Sequence, residues 1–536
     1  MSKNSFLKGT AILAITGILV KIIGALYRIP LTNIMPDEGM GYYQVGYQLY
    51  VLLAVVSTSG LPIATSKLIA EKRATGNYRG AQKIFKVSFI GFLIVGVISS
   101  IVLLFGAKAA LSFTKNPNSY YSLIALVPAL LFVPIMSAFR GYFQGTQNMV
   151  PTAISQLIEQ LFRATFALTL TYALLNKGVP IAAGGASFGA SAGAMAGTIV
   201  IVFIYLKHRK QSTIEINMTE KFKEEATSKI AKDILSIAIP ITIGAAIVPI
   251  INQVDTILIT RILQQIGYTE IQAAAKLGQL SGNAQTLINL PQVLSIAVAM
   301  SLVPAISDAF ARKDHTSINN TINSSVRMTL LIGLPCAVGL FVLAFPIIDL
   351  LYFTKSIQDK TATSQLLAIL SISLVFLTLD QSLTAILQGI GKPMKPVKNL
   401  AVGAIVKIIL TYTLTRVPGI EVKGAAISTV AAYFTASMLN LRDVKKQIDV
   451  KISFVNTVVK PVIGAVIMGV IVKVVYVYSV HILGGKMSTV VSIILGGIVY
   501  GLSLLLIGAI TSEDLAVLPK GKQIAEKLSK VGLLRS

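Results

Sequence analysis

Two basic side chains interrupt the first apolar stretch of the chain, GILVKIIGALYRIPL at residues 17–31. Lys21, Gly24 and Arg28 are spaced i, i+3 and i+7, so a helix places all three on one face. A cation in hydrocarbon is costly and usually lines a wet cavity or a solute pathway. The face therefore predicts an anion-binding pathway. For Arg28 a second interpretation stays open, an anchor that reaches the membrane interface.

A second polar stripe occurs in IPITIGAAIVPIINQVDTILITRIL at residues 239–263. It carries Asn252, Gln253 and Asp255, with Arg261 at its end. The two prolines of this stretch bend a membrane helix and free carbonyl groups. We assign the stripe to the same substrate pathway, in a wet cavity between two halves of the protein. Hydrogen bonding between helices is the alternative.

Two further sets of charged residues lie in apolar stretches. Glu159 and Arg163 are four residues apart, so one helix can pair them and lower the cost of desolvating both. Asp380 and Lys407 lie in two later stretches and can pair with each other or face the cavity. The sequence leaves these alternatives open, together with a role of either set in ion coupling.

A glycine-rich run, GGASFGASAGAMAG at residues 184–197, is the remaining motif. Gly185, Gly189, Gly193 and Gly197 recur at every fourth position. A nucleotide-binding loop would need a preceding strand and an aqueous phosphate site, and this run lies inside an apolar stretch. The spacing instead predicts a small-residue face that packs closely against another helix.

Composition indicates which elements position these side chains. The 536 residues are 54% hydrophobic and 13% charged, with a mean hydropathy of +0.75, whereas soluble domains average about 25% charged residues. Long continuous apolar runs favour an all-α polytopic membrane protein over a β-barrel, whose strands alternate. We assign the net charge of +25 to membrane topology and not to nucleic acid. One cysteine and three scattered histidines exclude a disulfide framework and argue against a structural zinc or other metal site.

Fourteen apolar stretches are long enough to cross a membrane. They cover approximately 7–31, 41–65, 87–107, 120–139, 152–174, 182–206, 234–260, 281–307, 328–351, 362–389, 399–416, 424–441, 458–480 and 488–510. The connections alternate in charge, because 67–86 is strongly basic whereas the first connection, at 36–38, is acidic. The positive-inside rule then predicts that both termini are cytoplasmic.

The chain also repeats itself at a nearly constant offset. The matching segments are FTK at 113–115 and 353–355, GLPIAT at 60–65 with LVPAIS at 302–307, and QGTQNMVP at 144–151 with QGIGKPMKP at 388–396. The repeat predicts two parallel six-helix lobes, related by a pseudo-two-fold axis along the membrane normal. The predicted domains are an N-lobe at 1–206, a cytoplasmic basic linker at 207–233, a C-lobe at 234–445, and two further helices with a cytoplasmic tail at 446–536.

These features resemble the MOP exporter superfamily. GLPIATSK after the second span and NLPQVLSIAVAMSLVPAIS at 289–307 are similar to that superfamily. The two extra helices and the pattern of Lys21, Gly24 and Arg28 resemble its MurJ-like lipid II flippases. The N-terminal segments KGTAILAITGILVKIIGALYRIPL and GYYQVGYQLYVLLAVVSTSGLPIATSK look most like the SpoVB and YtgP group of sporulation and polysaccharide biosynthesis proteins.

The resemblance implies a flippase and not an enzyme. Such a protein moves undecaprenyl-pyrophosphate-linked peptidoglycan precursor, lipid II, to the outer leaflet of the bacterial cytoplasmic membrane by alternating access. It implies that Lys21 and Arg28 are cavity cations and that the last two helices form a groove for the polyprenyl tail. No cofactor is expected; the membrane potential is the expected driving force, and a coupling ion, H⁺ or Na⁺, is left open. The expected partners are the lipid-linked oligosaccharide, membrane lipid and the cell-wall synthesis machinery.

Three alternatives stay open at this point. The substrate can be another lipid-linked glycan, such as a teichoic acid or capsular precursor. A multidrug or cation antiporter of the same superfamily would need an acid-dominated cavity, for which Asp255 and Glu159 are the candidates. A non-transporting scaffold for cell-wall enzymes is the third alternative, and the charges inside the spans argue against it.

Overall fold

Helices joined by short connections form the fold. A computed structural model describes residues 3–217, 225–312, 314–448 and 454–509, and these residues contain no strand. Part of the predicted linker at 207–233 and the predicted tail beyond residue 509 lie outside the described residues. The first helices are α1 (Lys3–Leu26), α2 (Arg28–Ile34), α3 (Asp37–Thr58), α4 (Gly60–Ala74), α5 (Tyr78–Thr114), α6 (Tyr120–Ile124), α7 (Val127–Gly145), α8 (Val150–Leu174) and α9 (Val179–Asn217).

The remaining helices follow the same pattern. They are α10 (Thr227–Gln265), α11 (Glu270–Leu277), α12 (Gln285–Ala311), α13 (His315–Val342), α14 (Ala344–Leu351), α15 (Ile357–Gly389), α16 (Met394–Leu414), α17 (Val422–Gln447) and α18 (Lys460–Ile507). Short 3₁₀ turns occupy Pro117–Ser119 and Leu175–Lys177, and π-helical segments occupy Gly278–Ala284 and Val455–Val459.

The number of membrane spans agrees with the sequence prediction. Twelve described segments are long and apolar enough to cross a membrane. One of them, Val455–Ile507, is broken at Gly484, whose φ of 74° and ψ of 161° are not helical, so it supplies two spans. Helix α8 has 25 residues, which is enough for a hydrocarbon layer of about 30 Å, although its charged and amide side chains lower its hydropathy. All fourteen predicted spans therefore fall on helices, and the all-α polytopic architecture is confirmed.

The first predicted span, 7–31, is interrupted near its end. Helix α1 ends at Leu26 and α2 begins at Arg28. Pro30 explains the break, because it has no amide hydrogen to donate to the carbonyl of Leu26 four residues earlier. The Tyr27 amide still donates to the Ile23 carbonyl at 3.1 Å. Lys21 and Gly24 therefore lie on α1, whereas Arg28 starts the next helix.

The described contacts form two compact units, Met1–Gly282 and Asn283–Ser536. In the first unit α8 packs against α1 and α9, α7 packs against α5 and α9, and α10 packs against α3, α4 and α5. In the second unit α15 packs against α12, α13 and α17, and α18 packs against α13. The unit boundary differs from the boundary that the repeat suggests, since α10 contacts the first unit. The four predicted domains stay a prediction.

Close backbone contacts and one ion pair explain why α10 packs on α4. A Cβ atom at Gly60 would lie 2.0 Å from the Ala238 carbonyl oxygen, so only glycine permits this approach. The Gly60 amide also donates to Thr242 Oγ1 at 3.1 Å. Near the start of α10, Lys72 Nζ lies 2.6 Å from Glu225 Oε1. This hydrogen bond holds the pKa of Glu225 below its usual range.

The two copies of the predicted repeat have similar local contacts. Gly145 packs on the side chain of Ile69, and its counterpart Gly389 packs on the side chain of Ile306. In the FTK motifs, the carbonyl of Phe113 accepts a hydrogen bond from Arg261, and the carbonyl of Phe353 accepts one from Lys360. The glycine contacts and the phenylalanine carbonyls thus match between the two copies, whereas the two basic side chains come from different positions in the repeat.

Candidate functional site

The predicted basic face of α1 lies beside α8. A Cβ atom at Gly24 would lie 3.1 Å from Gln160 Nε2, so the glycine lets the two helices approach each other. Lys21, one turn before Gly24, is exposed. Arg28 follows one turn later on α2, which also contacts α8. The three residues therefore run along the side of the molecule where α8 packs.

Arg28 lies among tyrosines of α3. Its guanidinium carbon is 5.0 Å from the centre of the Tyr47 ring, and such a cation–π contact contributes about 0.5–2 kcal/mol. The Tyr47 ring stacks on Tyr43, with 5.5 Å between centroids and 19° between planes. The hydroxyls of Tyr43 and Tyr27 are 3.2 Å apart. The aromatic rings thus hold a cation inside an apolar bundle.

A second part of the site is built around Glu159 on α8. Arg163 Nη2 donates to Glu159 Oε1 at 2.9 Å, and Arg140 Nη2 donates to Glu159 Oε2 at 3.0 Å. Arg140 Nε also donates to Ser155 Oγ at 2.9 Å. The side chains of this triad are only 14–16% exposed. Arg140 was missed from the sequence, because the predicted span 120–139 ended one residue before it.

The tyrosines connect the two parts. The Tyr47 and Tyr50 rings pack with 6.1 Å between centroids. Tyr50 lies within hydrogen-bonding range of Arg163, and Tyr27 within hydrogen-bonding range of Arg28. We call this set the arginine–tyrosine cluster: Tyr27, Arg28, Tyr43, Tyr47, Tyr50, Arg140, Glu159 and Arg163. It holds three guanidinium groups and one carboxylate, a formal charge of +2. Because charges act strongly in a low dielectric, this excess favours an anion.

The glycine stripe of α9 sets the position of α8. Cβ atoms at Gly193 and Gly189 would lie 2.4 Å and 2.6 Å from the carbonyl oxygens of Glu159 and Arg163. Gly185 and Gly197 make similarly close contacts, with Leu170 on α8 and with Met136 on α7 and Ser155 on α8. The stripe therefore lies against the backbone of the residues that form the ion pair.

The polar residues of α10 lie on a helix that packs against α3, α4 and α5. Thr256 Oγ1 donates to the Asn252 carbonyl at 2.9 Å, and Gln253 is buried with no partner for its Oε1 atom. Asp255, between them, is half-buried. Arg261 donates to the Phe113 carbonyl at the end of α5 and lies 5.7 Å from the Phe113 ring centre. Its observed contacts are those of a helix C-terminal cap.

In the second unit Asp380 is part of a polar ladder between three helices. Asn440 Nδ2 on α17 donates to Asp380 Oδ1 at 2.8 Å, and Asn399 Nδ2 on α16 donates to Asn440 Oδ1 at 2.8 Å. Asn399 also donates to Asp443, which lies 3.6 Å from Lys395. Lys407 is on α16, two turns beyond Asn399. The asparagines of this ladder were missed, because nothing local in the sequence links them to Asp380.

The second unit also contains an apolar cavity of about 330 Å³. It is lined by α12, α13, α14 and α18, through residues that include Cys336, Gly339, Met468, Val472 and Gly496. Within the described ranges, no group of three or more His, Cys, Asp or Glu residues could hold a metal ion.

The fold defines the class of the protein, a multi-pass all-α membrane protein. The sequence profile of the polysaccharide biosynthesis protein family matches residues 6–310, and the MatE profile matches residues 281–413. The first match covers more than half of the chain. The chain belongs to the polysaccharide biosynthesis protein family.

Individual relatives agree with this assignment. The lipid II flippase MurJ of Bacillus subtilis (strain 168) is 29% identical over 519 residues, 93% of this chain and 94% of that protein. Stage V sporulation protein B of the same organism is 27% identical over 84% of this chain and 86% of its own. A solved structure of a lipid II flippase MurJ in an inward closed conformation superposes with a TM-score of 0.69 and 17% identity, over 91% of this chain and 97% of that one. The structure of an inward-facing MATE family multidrug resistance transporter superposes with a TM-score of 0.67 and 16% identity, over 82% of this chain and 98% of that one.

Proposed function

We propose that this protein is a flippase for lipid II, the undecaprenyl-pyrophosphate-linked peptidoglycan precursor. It moves the headgroup from the inner to the outer leaflet of the bacterial cytoplasmic membrane by alternating access. No catalytic step is part of this proposal. The MurJ relative, which matches along 93% of the chain, supports the choice of lipid II over other anionic lipids.

The observation that carries the proposal is the arginine–tyrosine cluster. Three arginines with only one carboxylate are held inside membrane helices, and a phosphate group accepts bidentate, charge-assisted hydrogen bonds from guanidinium. Lys21 adds a fourth cation on α1, a helix that packs against α8. A pyrophosphate is the group on lipid II that such an environment binds.

The apolar cavity of the second unit supports a role in binding the lipid tail. Its lining comes largely from α13 and α18, and hydrocarbon is the ligand that an apolar cavity favours. A cavity of about 330 Å³ has room for only part of a polyprenyl chain. The rest of the chain would stay in the surrounding membrane.

The membrane potential supplies the driving force in this proposal. A pyrophosphate headgroup with about two negative charges moves outward along an inside-negative potential. Uncompensated, this movement releases about 4–5 kcal/mol per 100 mV, at about 2.3 kcal/mol for each charge. No nucleotide site is then needed.

The test is lipid II translocation in proteoliposomes with Lys21→Ala and Arg28→Ala variants. We expect each rate to fall about ten-fold or more, because each variant removes a charged partner of the pyrophosphate. Lys108→Ala, which changes an exposed lysine on α5, is the matched control and should keep the wild-type rate. Wild-type rates for both site variants at equal protein level would reject the proposed site. Failure to rescue a strain that lacks its lipid II flippase would reject lipid II as the substrate.

Cation or drug antiport is the second candidate, and the MatE match over residues 281–413 favours it. This range contains Asp380, the carboxylate bonded to Asn440 inside a membrane bundle. An antiporter would require this carboxylate for exchange of H⁺ or Na⁺. Ethidium efflux that depends on sodium or on a proton gradient, and that is lost in Asp380→Asn, would select antiport over lipid II flipping.

A further inference from the structure

The carboxylate of Glu159 accepts hydrogen bonds from two arginines. Its Oε1 atom accepts from Arg163 and its Oε2 atom accepts from Arg140, at 2.9 Å and 3.0 Å. We propose that Glu159 is an internal competitor of the anionic substrate: it gives up these arginines when a phosphate group binds and takes them back when the substrate leaves. The inference rests on the proposed function and names the residue that sets substrate release at that site.

The geometry leaves Arg163 able to accept a second anion. Its Nη2 atom is on Glu159, whereas its Nε atom is buried and has no hydrogen-bond partner. The Nε and Nη2 atoms form the fork that binds two oxygens of a phosphate. A phosphate at this fork therefore satisfies the unpaired Nε donor and displaces Glu159 from Nη2.

Charge explains why the competitor favours turnover. Three arginines without Glu159 would hold a dianionic pyrophosphate with one positive charge in excess, in an environment where charge acts strongly. With Glu159 present, the carboxylate and the dianion together balance Arg28, Arg140 and Arg163. Within the arginine–tyrosine cluster, which does not include Lys21, the bound state is then neutral, and the displaced carboxylate remains next to its arginines. Substrate release needs this kind of replacement, because two buried arginines left unpaired would be costly.

A structural role and a competitor role predict opposite changes in affinity. If Glu159 only positions the arginines, its removal disorders them and weakens the binding of a diphosphate. If Glu159 competes for them, its removal strengthens that binding and slows release. The sign of the change separates the two roles without any assumption about its size.

The experiment measures binding of farnesyl diphosphate to the purified full chain in uncharged detergent, with Glu159→Gln and with wild type. We expect the dissociation constant to fall about ten-fold or more, because two charge-assisted hydrogen bonds no longer have to be exchanged. In proteoliposomes, lipid II translocation by Glu159→Gln should show a lower KM together with a lower kcat. Farnesol, which has the same tail and no phosphate, should bind equally to both proteins.

Asp443→Asn is the matched control. Asp443 also accepts hydrogen bonds and neighbours a lysine, and its side chain is 15% exposed, against 16% for Glu159. It lies in the second unit, and its variant should leave the farnesyl diphosphate affinity unchanged. Equal or weaker binding by Glu159→Gln overturns the inference, and so does the same gain in both variants.

A conservative variant covers the case in which Glu159→Gln does not accumulate. Glu159→Asp keeps the charge but is one methylene shorter, so it cannot reach both arginines, and we expect an intermediate gain in affinity. An unchanged or weaker affinity of this variant also overturns the inference.

The two proposals can fail separately. If Glu159→Gln binds farnesyl diphosphate more tightly but the wild-type protein does not move lipid II, only the proposed substrate is rejected. If the wild-type protein moves lipid II but Glu159→Gln binds farnesyl diphosphate with unchanged affinity, only the competitor role is rejected.

Discussion

Individual charged residues of this protein differ sharply in their surroundings. Arg163 is 15% exposed and is bound to a carboxylate that a second arginine shares. Arg312 also pairs with a carboxylate four residues earlier, Asp308, but these two side chains are 69% and 60% exposed. The same i, i+4 spacing thus occurs once inside the bundle and once at an exposed helix end. Solvent screening makes the exposed pair weak. Loss of one member of the buried pair, in contrast, leaves the other charge buried and uncompensated.

Removal of each arginine should therefore have a different effect on stability. We expect Arg163→Ala to destabilise the protein by about 3 kcal/mol, because Glu159 keeps only Arg140 in a poorly solvated place. Arg312→Ala should leave stability nearly unchanged. Thermal unfolding in detergent measures both variants, and equal midpoints for the two would contradict this assignment of the Glu159 triad.

At the scale of helices, the site depends on how closely α8 and α9 approach each other. The four glycines of α9 face α8 or α7, and Gly193 and Gly189 touch the backbone of Glu159 and Arg163. Close packing of small residues favours this short distance, since lipid tails offer no hydrophobic force that would drive the helices together. Helix α8 carries Glu159 and Arg163, and the small residues of α9 help to decide where these charges lie.

A single methyl group tests this packing. Gly193→Ala should destabilise the protein by about 1–3 kcal/mol, because its Cβ atom meets the Glu159 carbonyl oxygen at 2.4 Å. Gly106→Ala on α5 is the matched control, since no atom lies within 4 Å of its Cβ position. There alanine should be neutral or stabilise by up to about 1 kcal/mol through helix propensity. The unfolding midpoint should fall for Gly193→Ala and should stay equal or rise for Gly106→Ala, and an equal fall in both variants would argue against the packing role.

At the scale of the whole molecule, charge in the connections sets the topology. The end of α4 together with the start of α5, and the C-terminal end of α17, are rich in lysine and arginine. Both connections follow an even number of predicted spans from the N-terminus. Under the positive-inside rule they share one side of the membrane with both termini, which we propose to be the cytoplasm.

Cysteine accessibility tests this orientation. In a Cys336→Ser background, which removes the chain's one cysteine, Arg79→Cys should resist a membrane-impermeant thiol reagent applied to intact cells. Lys177→Cys, between α8 and α9, should react with it. Both positions are exposed in the structure, so burial does not account for a difference. Labelling of Arg79→Cys and protection of Lys177→Cys would invert the proposed topology.

The sequence by itself determined the local features of this protein. Apolar runs of about 20 residues must become helices in a membrane, because no other single-segment structure satisfies the backbone there. The spacing of Glu159 and Arg163, and the recurrence of glycine every fourth residue on α9, also follow from one helical repeat. Each of these features depends on residues a few positions apart, so a pattern in the chain is enough to find it.

Only the tertiary structure decided which of these helices meet. Arg140 reaches Glu159 from another helix, Asn440 reaches Asp380 across 60 positions, and Arg261 binds the end of α5 and not the cluster. Pro30 was enough to anticipate the helix break before Arg28, but the packing of the Arg28 guanidinium on the Tyr47 ring could not be anticipated. Contacts between distant segments depend on how closely two backbones can approach, and that distance depends on many small side chains at once. For this reason Lys21, Arg28 and Arg163 were predictable from the sequence, whereas Arg140 and the site that these cations form were not.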